Sequence, residues 1–399
     1  MKILIYWHDI YLPYSEYIIE AFHDHPNVES IIIAGPKISI PESIFSAGVL
    51  SGRKYHNSVA YQIETLKKRN KWAKIGAFKK IIRTHSPDLI VILDEALSVN
   101  VFNAGLANRL ANNHGKVLFY GFENILQNIP WRYLLHKCDL PACWMFLRKS
   151  SRYLIFDRLL HPIRIKLIHG GVVCYKECHD MILNFGWHVP VKEQWWGVSL
   201  DKFTTAVDQK VLDQMRQALN ITPDHKILGF VGRFVPEKGV MDLVKVLSLL
   251  DDKWILLLVG DGTQSVTIEQ TAHDMKVRNQ LRLIAPVSQV ELAVLYRLMN
   301  VLALPSHTSY FWKEQYGRVL VEAMACGIKT IGSDSGAIPF VIGDHRFIFH
   351  EGDISDIAEK VDFAYKFNAD EAYLRARAQK GDVSAFVSSF ISFYDKDCL

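Results

Sequence analysis

Two strings in the second half of the chain combine cations, carboxylates and glycines at spacings that suit a phosphorylated ligand. Gly232-Arg233-Phe234-Val235-Pro236-Glu237-Lys238-Gly239 follows an apolar run and precedes a helical pattern. Gly232 lets the backbone turn where the run ends, and Gly239 sits where the helix starts. Arg233 and Lys238 are then cations beside a helix N-terminus, which favours phosphate or diphosphate. The second string runs from Ser306 through Glu314, Gly317 and Glu322 to Gly327, and its two glutamates form an E-x7-E pair. A glycine ahead of a helix exposes backbone N–H groups to an anion. Two carboxylates beside that spot accept hydrogen bonds from vicinal hydroxyls, as on ribose or a hexose, provided cations separate them from the phosphate. Arg233 and Lys238 supply those cations. Each string also has a plainer reading, as solvated surface cations or as an amphipathic helix with one exposed and one capping glutamate. A third string, Val259-Gly260-Asp261-Gly262, lacks the third glycine of a dinucleotide fingerprint and reads as a tight strand-to-helix turn.

Short apolar runs followed by helical stretches must position these residues. In the first half, Ile3–Trp7, Ser30–Ala34, Asp88–Leu93 and Lys116–Tyr120 read as strands. Ser15–Phe22 reads as a helix and Ile63–His85 as a long basic one. In the second half, Ile227–Val231, Trp254–Val259, Leu281–Ile284, Val301–Leu304 and Lys329–Ile331 read as strands, with helices at about 239–250, 289–299 and 317–326 between them. Near-continuous apolar strands alternating with helices imply parallel sheets with right-handed crossovers. The fold class is therefore α/β, two doubly wound Rossmann-like domains facing each other across a cleft. The boundaries are 1–195 for an N-terminal domain and 196–380 for a C-terminal domain. A C-terminal helix in 381–399 packs back on the first domain. Such sheets bind ligands at the carboxyl ends of their strands.

Composition narrows the function classes. The chain has 399 residues, 49% hydrophobic and 22% charged, which are ordinary globular values. A net charge of +4 does not argue for nucleic acid. The charge is unevenly spread, with 24 Lys/Arg against 16 Asp/Glu over residues 1–199 and 22 against 26 over 200–399. No apolar run has the length of a transmembrane span, and the N-terminus reads as a buried strand rather than a signal peptide. Six cysteines without a CxxC pair do not read as a disulfide scaffold, so the expected compartment is the cytoplasm.

The C-terminal half resembles the retaining glycosyltransferases of family 4, which have the GT-B fold. The similar segments are GRFVPEKG at 232–239, LLLVGDG at 256–262 and LRLIAPVSQVELAVLY at 281–296. LALPSH at 302–307, EQYGRVLVEAMACG at 314–327 and IGSDSGAIPFVIGD at 331–344 continue them in the same order. The resemblance implies a nucleotide-diphosphate sugar as donor substrate, bound by the C-terminal domain, 196–380, an acceptor bound by the N-terminal domain, 1–195, no separate cofactor and no metal. Arg233 and Lys238 would clamp the diphosphate, Glu314 would contact the donor sugar, and Glu322 would hold the ribose hydroxyls. Gly232, Gly317, Arg318, Val319 and Leu320 would meet phosphate and ribose, largely through main chain, and Pro286 with Val287 would lie against the base. The new bond would keep the donor's anomeric configuration, with the acceptor attacking from the leaving group's own face. Relatives often carry a Gly-Gly pair in the first strand–helix loop; this chain has His8-Asp9-Ile10-Tyr11-Leu12-Pro13-Tyr14-Ser15, so that contact does not transfer. Glu123, in Phe119-Tyr120-Gly121-Phe122-Glu123-Asn124-Ile125, is the matching candidate to orient the acceptor or balance charge, and Asp94-Glu95 is a second acceptor-side candidate.

From Trp131 to Lys166 eight Lys/Arg face only Asp139 and Asp157, interleaved with large apolar residues. Lys67, Lys68, Arg69, Lys71, Lys74, Lys79 and Lys80 add to the same field. Cations beside Trp and Leu suit an anionic membrane interface, and a domain-packing helix pair with a solvated basic face gives the same pattern. The resulting expectation is a cytoplasmic enzyme, peripheral on the inner face of the membrane. It would move a hexose to a glycan or lipid-linked acceptor in cell-surface polysaccharide, lipopolysaccharide or glycolipid synthesis. A nucleotide-sugar epimerase of the same fold and a non-catalytic nucleotide-sugar-binding subunit are the alternatives; nucleic acid is not an expected partner.

Overall fold

The computed structural model describes residues 1–7, 15–36, 59–63, 71–123, 161–184, 186–309 and 312–394. The chain divides into two compact units. One is Met1–Trp195 with Phe386–Leu399, and the other is Trp196–Ala385.

The first unit is built on seven parallel strands in the order β3-β2-β1-β4-β5-β6-β7. They are β1 (Lys2–Trp7), β2 (Ser30–Pro36), β3 (Val59–Ile63), β4 (Leu89–Leu93), β5 (Lys116–Gly121), β6 (Gly170–Val173) and β7 (Val191–Glu193). Helices α1 (Ser15–His23), α2 (Lys71–His85), α3 (Val99–Leu110), α4 (His161–Ile165) and α5 (Lys176–Asn184) connect them. β4 reads LIVIL and all of it is buried, because a central parallel strand is covered on both faces. Of the basic helix expected over Ile63–His85, Lys71–His85 is helical, and residues 64–70 lie outside the described residues. Ile63 instead ends a strand, Val59–Ile63, that pairs in parallel with β2 from Ile32↔Val59 to Pro36↔Ile63. Sheet pairing overrides the helical periodicity there.

The second unit repeats the plan with six parallel strands, in the order β10-β9-β8-β11-β12-β13. After α6 (Gln209–Ala218) come β8 (Lys226–Val231), α7 (Val240–Val246), β9 (Trp254–Val259), α8 (Ser265–Asp274), β10 (Leu281–Ile284), α9 (Gln289–Leu298) and β11 (Val301–Leu304). Then follow α10 (Arg318–Ala325), β12 (Lys329–Ser333), α11 (Ile338–Ile342), β13 (Ile348–Phe349), α12 (Ile354–Lys366) and α13 (Glu371–Ala378). In each sheet the strand order reverses beside its first strand, at β1/β4 and at β8/β11. Both units are thus doubly wound and Rossmann-like, with ligand positions expected at these reversals.

The last helix, α14 (Val383–Ile391), returns to the first unit. Phe386, Val387 and Phe390 are buried. The Phe390 ring lies 6.0 Å from that of Phe22, and the Phe386 ring lies edge-on 5.0 Å from that of Tyr120. The Lys116 ammonium donates to the Phe393 carbonyl. Among the described residues no helix is long and apolar enough to cross a membrane.

Candidate functional site

The loops leaving β8 and β11 meet at the reversal of the second sheet, and four separate contacts join them. After Gly232 and Arg233 the β8 loop makes a turn of 3-10 helix at Pro236–Lys238 and reaches Gly239 with φ +64°. A Cβ at Gly239 would lie 1.8 Å from the Pro305 carbonyl oxygen, so glycine is demanded there by both conformation and space. The His307 amide donates to the Glu237 carbonyl at 2.9 Å. His307 Nε2 lies 2.5 Å from Oδ2 of Asp242, a buried residue in the first turn of α7. That bond to Asp242 raises the His307 pKa above its ordinary value, against the opposing pull of partial burial.

The fourth contact carries the chemistry. Lys238 Nζ lies 2.6 Å from Glu314 Oε2 and 5.1 Å from the centre of the Trp312 ring. The same Oε2 accepts a hydrogen bond from Ser306 Oγ at 2.7 Å, and the Glu314 backbone carbonyl accepts from the Ala337 amide. Glu314 is buried, and Lys238 is nearly so. The two motifs read from sequence therefore converge on one hydrogen-bonded ion pair above the sheet. Arg233 is exposed at the start of the same loop, and among the described residues its guanidinium makes no hydrogen bond or ion pair. The Val259-Gly260-Asp261-Gly262 turn supports this loop from behind. The Phe234 amide donates to the Asp261 carbonyl, and the Gln264 amide to the Phe234 carbonyl, both at 2.9 Å.

Gly317, with φ +77°, caps α10 without any side-chain bond to its first amides. Arg318, Val319 and Leu320 form the first turn, with Arg318 and Val319 half-buried and Leu320 buried. Glu322, one turn in, is 1% exposed. Its Oε1 accepts from Arg318 Nε and its Oε2 from the Tyr296 hydroxyl, each at 2.8 Å. A carboxylate oxygen has two lone pairs, so each retains one acceptor position. Pro286 is exposed and Val287 half-buried in the loop from β10 to α9, directly before the Ser288/Glu291 capping box.

Glu123 lies in the other unit, just past β5. The exits of β4 and β5 are tied together there, because Glu95 Oε1 accepts from the Phe122 amide at 3.0 Å. Burial pushes the Glu95 carboxyl up to about 8; the Phe122 and Glu123 amides oppose this, while the Glu123 and Asp94 charges add to it. Asp94 accepts from Asn100 Nδ2 at 2.7 Å. Residues 8–14, Asn124, Ile125, Lys67–Asn70 and most of the basic string, 131–160, lie outside the described residues. Of the cations counted in that field, Arg164 is buried, with its guanidinium 5.9 Å from the centre of the Phe102 ring. Lys74 donates to Asn100 Oδ1 at 3.2 Å.

The partners of the site were not legible as such in the sequence. Asp242 and His307 are 65 positions apart. Ser306 and Trp312 stand inside the second string without any feature marking them as neighbours of Lys238. Tyr296 belongs to the apolar face of α9, indistinguishable by periodicity from a core residue.

Residues 212–381 match the family described as glycosyl transferases group 1. Over 165 residues the chain is 32% identical to N-acetyl-alpha-D-glucosaminyl L-malate synthase of Bacillus anthracis, covering 39% of this chain and 41% of that protein. The chain thus spans about two fifths of the length of curated relatives it matches. Solved structures extend the likeness to both units. A glycosyltransferase from Rickettsia africae superposes with a TM-score of 0.75 at 15% identity, covering 99% of this chain and 98% of that one. Anabaena Alr3699/HepE, solved in complex with UDP, superposes with a TM-score of 0.70 at 14% identity over 98% of each chain. These likenesses show the GT-B fold.

Proposed function

We propose that the chain is a retaining glycosyltransferase that moves a hexose from a nucleoside-diphosphate sugar to a glycan or lipid-linked hydroxyl. The observation that carries this reading is the Lys238–Glu314–Ser306 cluster at the sheet reversal, with Arg233 exposed on the same loop. Arg233 and Lys238 take the diphosphate, and the amides of Gly317, Val319 and Leu320 at the start of α10 assist them. Glu314, already bound to Lys238, turns its second oxygen to the donor sugar. Glu322 holds the ribose, and the main chain at Pro286 and Val287 lies against the base. A departing diphosphate gains charge as the glycosidic bond breaks. Two cations and a helix N-terminus stabilise that charge more than they stabilise the ground state. In this reading those groups, rather than a bound metal, balance the leaving group, and the acceptor hydroxyl attacks from the same face.

Glu123 orients the acceptor in the first unit. The basic, aromatic-rich sequence at 131–166 supports an acceptor presented at an anionic membrane surface, with the enzyme peripheral on its cytoplasmic side. The UDP complex of the Anabaena protein supports a nucleoside diphosphate as the common part of the donor.

The test is a melting-temperature screen with UDP, GDP, ADP and their sugars, since a ligand of the native state raises the midpoint. Transfer from the donor so identified is then measured in Arg233→Ala. Turnover should fall on the order of 10²-fold with an unchanged melting temperature, because the side chain is exposed. A screen without any shift, or a wild-type rate in the variant, would overturn the reading. The anomeric configuration of the product decides between retention and inversion.

A further inference from the structure

We propose that Tyr296 is a positioning residue for the nucleotide. Its hydroxyl fixes the Glu322 carboxylate so that this group distinguishes a ribose from a 2′-deoxyribose, while Arg318 holds the other oxygen and can yield it to a ligand hydroxyl. The inference rests on the donor reading above.

The geometry gives the two oxygens of Glu322 different freedoms. Tyr296 is 0% exposed on α9, its ring edge-on to Phe203 with centroids 5.9 Å apart. Its hydroxyl reaches Oε2 at 2.8 Å and has no path to solvent that would let it turn away. Arg318 reaches Oε1 at the same distance, but its side chain is 30% exposed and stands at the first residue of α10. Only Oε1 can therefore exchange its partner.

Burial, and then the neighbouring Glu322 charge, hold the Tyr296 phenol well above its ordinary pKa, so it remains a neutral donor at every working pH. A carboxylate held at one oxygen by a rigid donor presents the other in a fixed direction. That suits it to a vicinal 2′,3′-diol, whose two hydroxyls donate. A 2′-deoxy sugar supplies one donor fewer and leaves an acceptor position of the carboxylate unfilled. Arg318, once off Oε1, stays beside the α10 N-terminus, where the diphosphate is placed, so the exchange keeps its charge useful.

The test is calorimetric titration of the whole chain with UDP, GDP and ADP, each against its 2′-deoxy form. The wild type should prefer the ribonucleotide by about tenfold or more, the worth of one hydrogen bond to a buried charge. Tyr296→Phe keeps the ring packed on Phe203 and should reduce that preference to about threefold or less by weakening ribonucleotide binding alone. A loss caused only by poorer folding would weaken both forms equally and leave the ratio intact. Arg318→Met removes the exchangeable partner without touching Tyr296, and it should preserve the ribose preference. An unchanged ratio in Tyr296→Phe, or a lost one in Arg318→Met, overturns the inference and leaves the donor reading standing. If the wild-type chain binds none of the six nucleotides, the donor reading falls and this inference with it.

Discussion

Lys238 and Glu314 offer the most direct energetic check on the site, through a double-mutant cycle of Lys238→Met and Glu314→Gln. The pair is 2.6 Å apart, and its side chains are 17% and 8% exposed. Lys238→Met keeps the apolar stem against Trp312 but leaves the Glu314 carboxylate with the Ser306 hydroxyl as its neighbour at Oε2. A hydrogen bond to a charged group contributes about 1.5–3 kcal/mol. The remaining exposure of Lys238 places this pair in the lower part of that range, at about 2 kcal/mol. Loss of the cation over the indole adds about 0.5 kcal/mol. Glu314→Gln costs less, about 1 kcal/mol, because the Gln carbonyl still accepts from Ser306 and the freed ammonium can reach water. Once either partner is gone the other matters less, so the double variant should cost well below the sum, with a coupling energy of about 1.5 kcal/mol. The assay is urea unfolding of the whole chain followed by tryptophan fluorescence, with calorimetry to resolve the second unit. Lys238→Met should lower that unit's thermal midpoint by roughly 5–10 °C. Costs that add to within about 0.5 kcal/mol would refute the reasoning, since contacting charges couple and independent ones do not.

Two further outcomes follow from the same loops. The pKa of His307 is raised by Asp242, with Glu351 adding to the shift and Lys245 opposing it. Its stabilising contribution is therefore whole below the ordinary histidine value of 6.5 and is lost as pH rises through the higher folded value. Urea midpoints of the second unit should decline over that window, and Asp242→Asn should flatten the decline; an equally steep profile in the variant would sink this account. Gly239→Ala places a methyl 1.8 Å from the Pro305 carbonyl at φ +64°. It should cost about 3 kcal/mol and abolish nucleotide binding, whereas wild-type melting and binding would contradict the close approach.

The parts of the fold legible from sequence were those where burial leaves no choice of residue. β9 and β11 occupy the expected spans Trp254–Val259 and Val301–Leu304, because a strand covered on both faces is an uninterrupted apolar run, and the edge strand β10 fills Leu281–Ile284 with only Leu281 buried. β6 carries no such signal because it reads GGVV. A Cβ at Gly171 would lie 2.3 Å from the Phe119 ring, so packing removed the side chain that would have signalled a strand. β3 overlaps the expected helix only at Ile63, and only its neighbour β2 identifies it as a strand. At the site, Arg233, Lys238, Glu314 and Glu322 stand in strings whose glycines mark loops and helix starts. Their partners did not, because Tyr296 joins Glu322 across 26 positions and Lys238 joins Glu314 across 76. Local spacing is silent about such pairings.

The path of the backbone sets an order of events during synthesis. The first unit is discontinuous: Trp196–Ala385 is inserted between its main part and the helix bearing Phe386, Val387 and Phe390. At about 5–20 residues per second, a ribosome needs on the order of ten seconds or more to make that insert. Throughout this interval the nascent first unit has Phe22 and Tyr120 without the aromatic rings that cover them in the finished protein. The inserted unit is contiguous and can complete its own core first. Maturation of the N-terminal half thus waits for the helix bearing Phe386 and Phe390 to emerge, and loss of that helix would damage the half translated first.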